Sequence, residues 1–201
     1  MSTIPINLAI EDELSEAVLR RVLKHLKRGY SVGVAYRRGG YGYLRRTIAG
    51  WNNAAKGIPF VVLTDLDKHD CPRSLIEEWL RAPQHPNLVF RVAVREVEAW
   101  LLADRRNLSS RLGIRERIVP SDVDALHDPK AALIQLAKRS RFKHVRNGVA
   151  PKSGSTASQG PVYNSFLAAF VSEIWDVSVA ATGSPSLART LEKLARFEPV
   201  W

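Results

Sequence analysis

Phe60-Val61-Val62-Leu63-Thr64 is apolar without alternation and runs straight into Asp65-Leu66-Asp67. A strand wetted on one face alternates apolar and polar residues. A short continuous apolar run fits a strand covered on both faces, as in a parallel sheet. Such a sheet needs crossover helices between its strands, and the flanking sequence supplies them.

Pro5 to Ile10 is short, apolar and strand-compatible. Leu14, Ala17, Val18, Val22 and Leu26 then recur at helical spacing, which predicts a helix over 13–28 ended by Gly29. Tyr30 to Tyr36 reads as a second strand, Arg37 to Gly42 as a loop, and 43–55 as a second helix. After Asp65-Leu66-Asp67 the pattern predicts a helix over 74–81, a strand over 87–94 and a helix over 96–103. The order β-α-β-α-β-α-β-α predicts an α/β fold with a mainly parallel four-stranded sheet and right-handed crossovers.

Beyond Asp104 the periodicity loosens. Asp128-Pro129 starts a helix to about residue 138, 147–161 reads as mobile, and 163–175 is amphipathic. Ser184-Pro185-Ser186 caps a last helix to about residue 195. The expected organisation is a core over 1–110 and a mostly helical extension over 111–201 packed on it.

A chain of 201 residues with 45% hydrophobic and 25% charged content has the composition of a folded domain, not of a disordered or fibrous chain. No apolar run reaches the length of a bilayer span. Met1-Ser2-Thr3-Ile4-Pro5 lacks the basic and apolar regions of a secretory leader. One cysteine, Cys71, excludes an internal disulfide framework and suits a reducing cytoplasm; it reads as a buried or capping residue. No membrane association is expected.

The formal net charge is +10, unevenly spread. Residues 17–64 hold ten basic residues and no acid; 129–172 hold seven and again no acid. Carboxylates are confined to 11–16, 65–128 and the tail from Glu173. Basic surface around concentrated carboxylates suits an enzyme holding a polyanion near metal ions, although a merely solvated basic surface has the same composition.

Ligand sites of open parallel sheets lie beyond the carboxyl ends of the strands. Three predicted strands end in acids: Glu11, the pair Asp65 and Asp67, and Glu96 or Glu98. Hard oxygen donors converging there suit Mg²⁺ or Mn²⁺. Asp-x-Asp after a strand could equally be a turn with helix-capping acids, and Glu98 could pair with Arg91 or Arg95. Lys130 and Lys152 are candidates for neutralising charge on a transferred phosphoryl group. In the loop Arg37-Arg38-Gly39-Gly40-Tyr41-Gly42-Tyr43-Leu44-Arg45-Arg46, the glycines admit a phosphate, Arg37, Arg38, Arg45 and Arg46 neutralise it, and Tyr41 can stack on a base. The same loop could be a glycine turn with a solvated basic face. Tyr163 reads as a core aromatic at a helix start.

A glutamate closing the first strand, a helix, and an apolar strand ending in Asp-x-Asp together resemble the Toprim superfamily. The likeness covers about residues 5–104. Arg95-Glu96-Val97-Glu98-Ala99-Trp100-Leu101-Leu102-Ala103-Asp104 is similar to a segment of its small standalone nuclease-like members in phage-defence and mobile-element gene clusters. The resemblance implies a Rossmann-like Toprim fold and a Mg²⁺- or Mn²⁺-dependent nuclease acting on DNA or RNA, with an ATPase partner. It gives Glu11 the role of metal ligand or general acid/base, Asp65 and Asp67 that of the metal-binding pair, and Glu98 that of a second-metal carboxylate. Asp12, Ser15 and Lys68 stand where many relatives carry Gly, an acid and Gly. These departures motivate an alternative, a non-catalytic module for nucleic acid or protein with a degraded metal site. A third reading is a small-molecule phosphohydrolase. An exposed sheet edge or the C-terminal helices could support a homodimer.

Overall fold

The computed structural model describes residues 3–152 and 154–201. Met1 and Ser2 of the leader argument, and Ser153 beside Lys152, lie outside the described residues. Four strands, β1 (Ile4–Ala9), β2 (Tyr30–Tyr36), β3 (Phe60–Asp65) and β4 (Leu88–Ala93), form one all-parallel sheet in the order β2-β1-β3-β4. The helices α1 (Glu13–His25), α2 (Gly40–Ala54), α3 (Pro72–Trp79) and α4 (Val97–Ala103) follow the strands in turn. The fold is α/β and Rossmann-like, as the strand pattern predicts.

Alternation along the buried strands assigns the two faces. Val61 and Leu63 join Ile6, Leu8 and Leu14 in one cluster, while Phe60 and Val62 join Leu44, Trp51 and Trp79 in the other. Helices α2 and α3 therefore cover one face and α1 and α4 the opposite one. Each of these aliphatic side chains, fully buried, contributes about 1.5–3 kcal/mol. Opposite Asn7 of β1, β2 carries a bulge at Gly33-Val34, and Asn7 Oδ1 accepts the amide of Val34 at 2.9 Å.

The second half supplies α5 (Arg105–Leu112), α6 (Pro129–Lys138), α7 (Lys143–Gly148), α8 (Tyr163–Glu173), α9 (Val177–Gly183) and α10 (Pro185–Ala195), with a 3₁₀ turn at Glu116–Ile118. Their apolar residues enlarge the α1/α4 face: Tyr163, Leu167, Phe170 and Trp175 are fully buried there with Trp100. No single helix among the described residues is long and apolar enough to cross a membrane, and the apolar pair α8 and α9 is bent by 109°.

One local expectation is corrected. The glycine loop is shorter than its composition suggests: Gly39 takes a left-handed φ of +80° and α2 starts at Gly40, so Tyr41 to Tyr43 are helical. Backbone bonds tie the start of the 147–161 segment to its end. Gly160 donates to Val149 O at 2.9 Å and Val162 to Gly148 O at 3.0 Å, and a Cβ on Gly160 would strike the Gly148 carbonyl. Short helices α5, α7 and α9 carry too few periodic positions to stand out in sequence. Cys71 is exposed and caps α3, accepting from Ser74 N at 3.4 Å.

Candidate carboxylate site at the sheet switch point

Strand order reverses direction between β1 and β3: the chain leaves β1 for β2 on one side and reaches β3 on the other. Open α/β sheets form their ligand crevice at that point, beyond the strand carboxyl ends. Glu11 follows β1, Asp65 ends β3, and Glu96 and Glu98 follow β4. The switch point therefore collects carboxylates.

Hydrogen bonds fix each one. Glu11 Oε1 accepts from Thr64 Oγ1 at 2.5 Å and from Asp65 N at 3.0 Å, crossing from β1 to β3. Asp65 Oδ1 accepts from Val97 N at 2.9 Å and so caps α4. Glu96 Oε2 accepts from Lys130 N at 2.7 Å at the start of α6. Glu98 is buried and its Oε1 accepts the Tyr163 hydroxyl at 2.9 Å. Asp67 is exposed and held at a left-handed φ of +49°. Arg95 ties that turn down, donating to Asp67 O at 3.0 Å and His69 O at 2.9 Å.

The electrostatics follow from this crowding. Burial raises the Glu11 carboxyl above its ordinary range, opposed by the bonds from Thr64 and Asp65. Burial, then Glu98, Glu11, Asp67 and Glu96, push Asp65 well up. Burial raises Asp67 and Glu96 too. Glu98 is pushed up to about 7 by burial and then by Glu96. Burial first and Glu98 second hold the Tyr163 phenol protonated, so this hydroxyl is a donor and not a nucleophile.

Of the residues singled out in sequence, Glu11, Asp65, Asp67, Glu98 and Lys130 come together. The Lys130 ammonium lies 5.3 Å from the centre of the Tyr163 ring and lowers the cost of charge on Asp67, Glu96 and Glu98. Lys152 is not brought in: it is exposed, and no hydrogen bond or ion pair among the described residues joins it to these carboxylates. Neither Arg91 nor Arg95 pairs with Glu98. Arg91 reaches Thr190 Oγ1 at 3.3 Å, and Tyr163 occupies the Glu98 oxygen instead. Tyr41 sits at the edge of the site: its hydroxyl is 2.8 Å from His69 Nε2, and both line a 370 Å³ cavity with Asp67 and Glu96. Arg37 pairs with Glu16 at 3.5 Å and Arg45 with Glu78 at 2.7 Å, whereas Arg38 and Arg46 are exposed.

The capping reading of the acids is also partly realised, since Asp65 and Glu96 each bind a helix N-terminal amide. Those bonds engage one oxygen of each carboxylate. The other oxygens of Glu11, Asp65, Glu96 and Glu98, and both of Asp67, accept no hydrogen bond among the described residues. Hard donors with free lone pairs and raised proton affinities fit a divalent cation chemically. In this side-chain arrangement, however, no three Asp, Glu, His or Cys of the described residues stand ready to hold one.

Sequence reasoning placed the acids but missed Tyr163 as the partner of Glu98. These residues are 65 positions apart, and no local pattern links them. No family model matches the chain, and no curated protein or solved structure matches it.

Proposed function

We propose that this chain is a Mg²⁺- or Mn²⁺-dependent nuclease with a Toprim-like site, cleaving phosphodiester bonds in DNA or RNA. The observation that carries the reading is the convergence of Glu11, Asp65, Asp67, Glu96 and Glu98 at the switch point of a parallel sheet, with Lys130 beside them. Asp65, Asp67 and Glu98 would hold the cation, which would supply positive charge to the attacking water and the leaving oxygen, and Glu11 is the general base. Glu11 takes the proton of the attacking water on its free oxygen. The water oxygen bonds to phosphorus, the bond to the leaving ester oxygen breaks, and that oxygen takes a proton from solvent. Lys130 offsets charge on the phosphoryl oxygens. Tyr163 positions Glu98 through the hydroxyl bond.

The resemblance to standalone Toprim proteins extends the reading to a cytoplasmic role in phage defence or on a mobile element, with an ATPase partner and a homodimer joined at the β2 edge or the C-terminal helices. The second reading is a binding module without cleavage. The capping roles of Asp65 and Glu96, and the lack of a ready three-residue cation cage, favour it.

Metal-dependent cleavage of plasmid DNA, single strands and RNA tests the proposal. The nuclease reading expects cleavage lost in Glu11→Ala and in Asp65→Ala. Nucleic-acid binding without cleavage at millimolar Mn²⁺ would leave the binding module.

A further inference from the structure

Helices α1 and α8 both start at the carboxylate end of the sheet. Asp12 caps α1 immediately after Glu11, and Tyr163 opens α8 on Glu98. They run side by side away from it, and Arg21 closes the far end with a bond to Trp175 O at 3.1 Å. Between them lies a groove of about 680 Å³. Its α8 wall carries Ala168 and Ala169, whose short side chains keep it open; its other wall carries Arg20, Arg21, Lys24 and Arg37.

The charge in the groove is directional. Glu13 and Glu16 line its mouth, and beyond Glu16 the chain has no acid until Asp65. Glu16 is shared by Arg20 at 2.8 Å and Arg37 at 3.5 Å, so two guanidinium groups divide one carboxylate. Both remain nearly half exposed. From Glu13 to Lys24 the helix rises roughly 16 Å, which matches four or five phosphates of one strand at about 3.4 Å each.

We infer that the α1/α8 groove carries the sugar-phosphate backbone of a polynucleotide away from the carboxylate site. The inference rests on the proposed nuclease reading for the identity of the polyanion. It moves the main phosphate contacts from the glycine-rich turn to α1. Just past that turn, on α2, Arg45 is already committed to Glu78, and of Arg37, Arg38, Arg45 and Arg46 only Arg37 lines the groove.

The test is fluorescence anisotropy with the full chain, using a labelled 20-nucleotide DNA strand, its RNA counterpart and the 20-base-pair duplex. It is run in EDTA, between about 50 and 200 mM salt. Arg20→Glu/Lys24→Glu is compared with wild type and with Lys193→Glu/Arg196→Glu, a matched charge change at the C-terminal end of α10. Arg20 and Lys24 are exposed; Arg20→Gln/Lys24→Gln repeats the test without charge reversal. The expected result is a loss above about tenfold for the reversal, with the slope of log affinity against log salt reduced by about 1.4–1.8 for two lost contacts. The α10 control stays within about twofold. Whichever probe binds best names the substrate class. Equal affinity of wild type and Arg20→Glu/Lys24→Glu would overturn the inference, as would equal losses in that variant and the control, or no binding of any probe to wild type. Failure of the cation site shows separately, as absence of Mn²⁺ binding. A groove effect without Mn²⁺ binding would keep the groove and remove the nuclease.

Discussion

The Tyr163 hydroxyl donates to Glu98 Oε1 at 2.9 Å, inside the core and across the first turns of α8 and α4. This bond couples the helical second half to the carboxylates at the end of the sheet. It also keeps a buried acid from facing only other acids. Tyr163→Phe deletes the donor and leaves the oxygen buried. Urea unfolding is expected to show a loss of about 1–3 kcal/mol. An unchanged midpoint would mean that solvent replaces the hydroxyl.

Proton linkage gives a pH signature. Glu98 titrates near 7 in the fold, against an ordinary 4.5. Between those values the folded protein holds a proton that the unfolded chain has released. Without divalent cation, stability therefore falls as pH rises through that window and levels off above it. Glu11, Asp65, Asp67 and Glu96 shift in the same direction. Glu98→Gln should flatten the decline in thermal melts between pH 4.5 and 8. A wild-type melting temperature that climbs over this range would contradict the arrangement.

Asp65 is surrounded by Glu98, Glu11, Asp67 and Glu96, so its charge is costly in the cation-free protein. Asp65→Asn keeps an oxygen for the Val97 amide and removes the repulsion. In EDTA it is expected to raise the melting temperature by several degrees, corresponding to about 1–2 kcal/mol. Millimolar Mn²⁺ should raise the wild type and not the variant. Calorimetry should show saturable Mn²⁺ binding in wild type that Asp65→Ala/Asp67→Ala abolishes.

The two lysines separate cleanly. Lys130 neighbours Tyr163 and the carboxylates, and Lys152 stands in solvent. Lys130→Ala is expected to reduce cleavage by about 10²-fold or more, whereas Lys152→Ala leaves it within about twofold. Equal losses in both would remove Lys130 from the site.

Asp124 locks the start of α10, accepting Ser184 Oγ at 2.7 Å and Ser186 N at 2.9 Å. Ser186 Oγ in turn accepts the amide of Val94 at 3.0 Å just beyond β4. Asp124→Ala should cost about 1–3 kcal/mol in denaturant unfolding and leave Mn²⁺ binding unchanged.

The sequence by itself determined the sheet. Phe60–Leu63 has no polar alternation because both faces of β3 are covered, and Leu14, Val18 and Val22 repeat at helical spacing because one face of α1 is buried. Those local periodicities also placed Glu11 and Asp65 at strand ends and Glu98 in the helix after β4, since the carboxyl end of a strand is a sequence position. Only the tertiary structure decided what these acids touch. Strand order put β1 beside β3, so that Glu11 could take the Asp65 amide. The packing of α8 beside α1 brought Tyr163 to Glu98, and the packing of α6 on α4 brought in Lys130 while leaving Lys152 outside. Periodicity reports which side of an element is dry. It carries no information about which distant element makes it dry, because that choice depends on the free energy of the whole packed core.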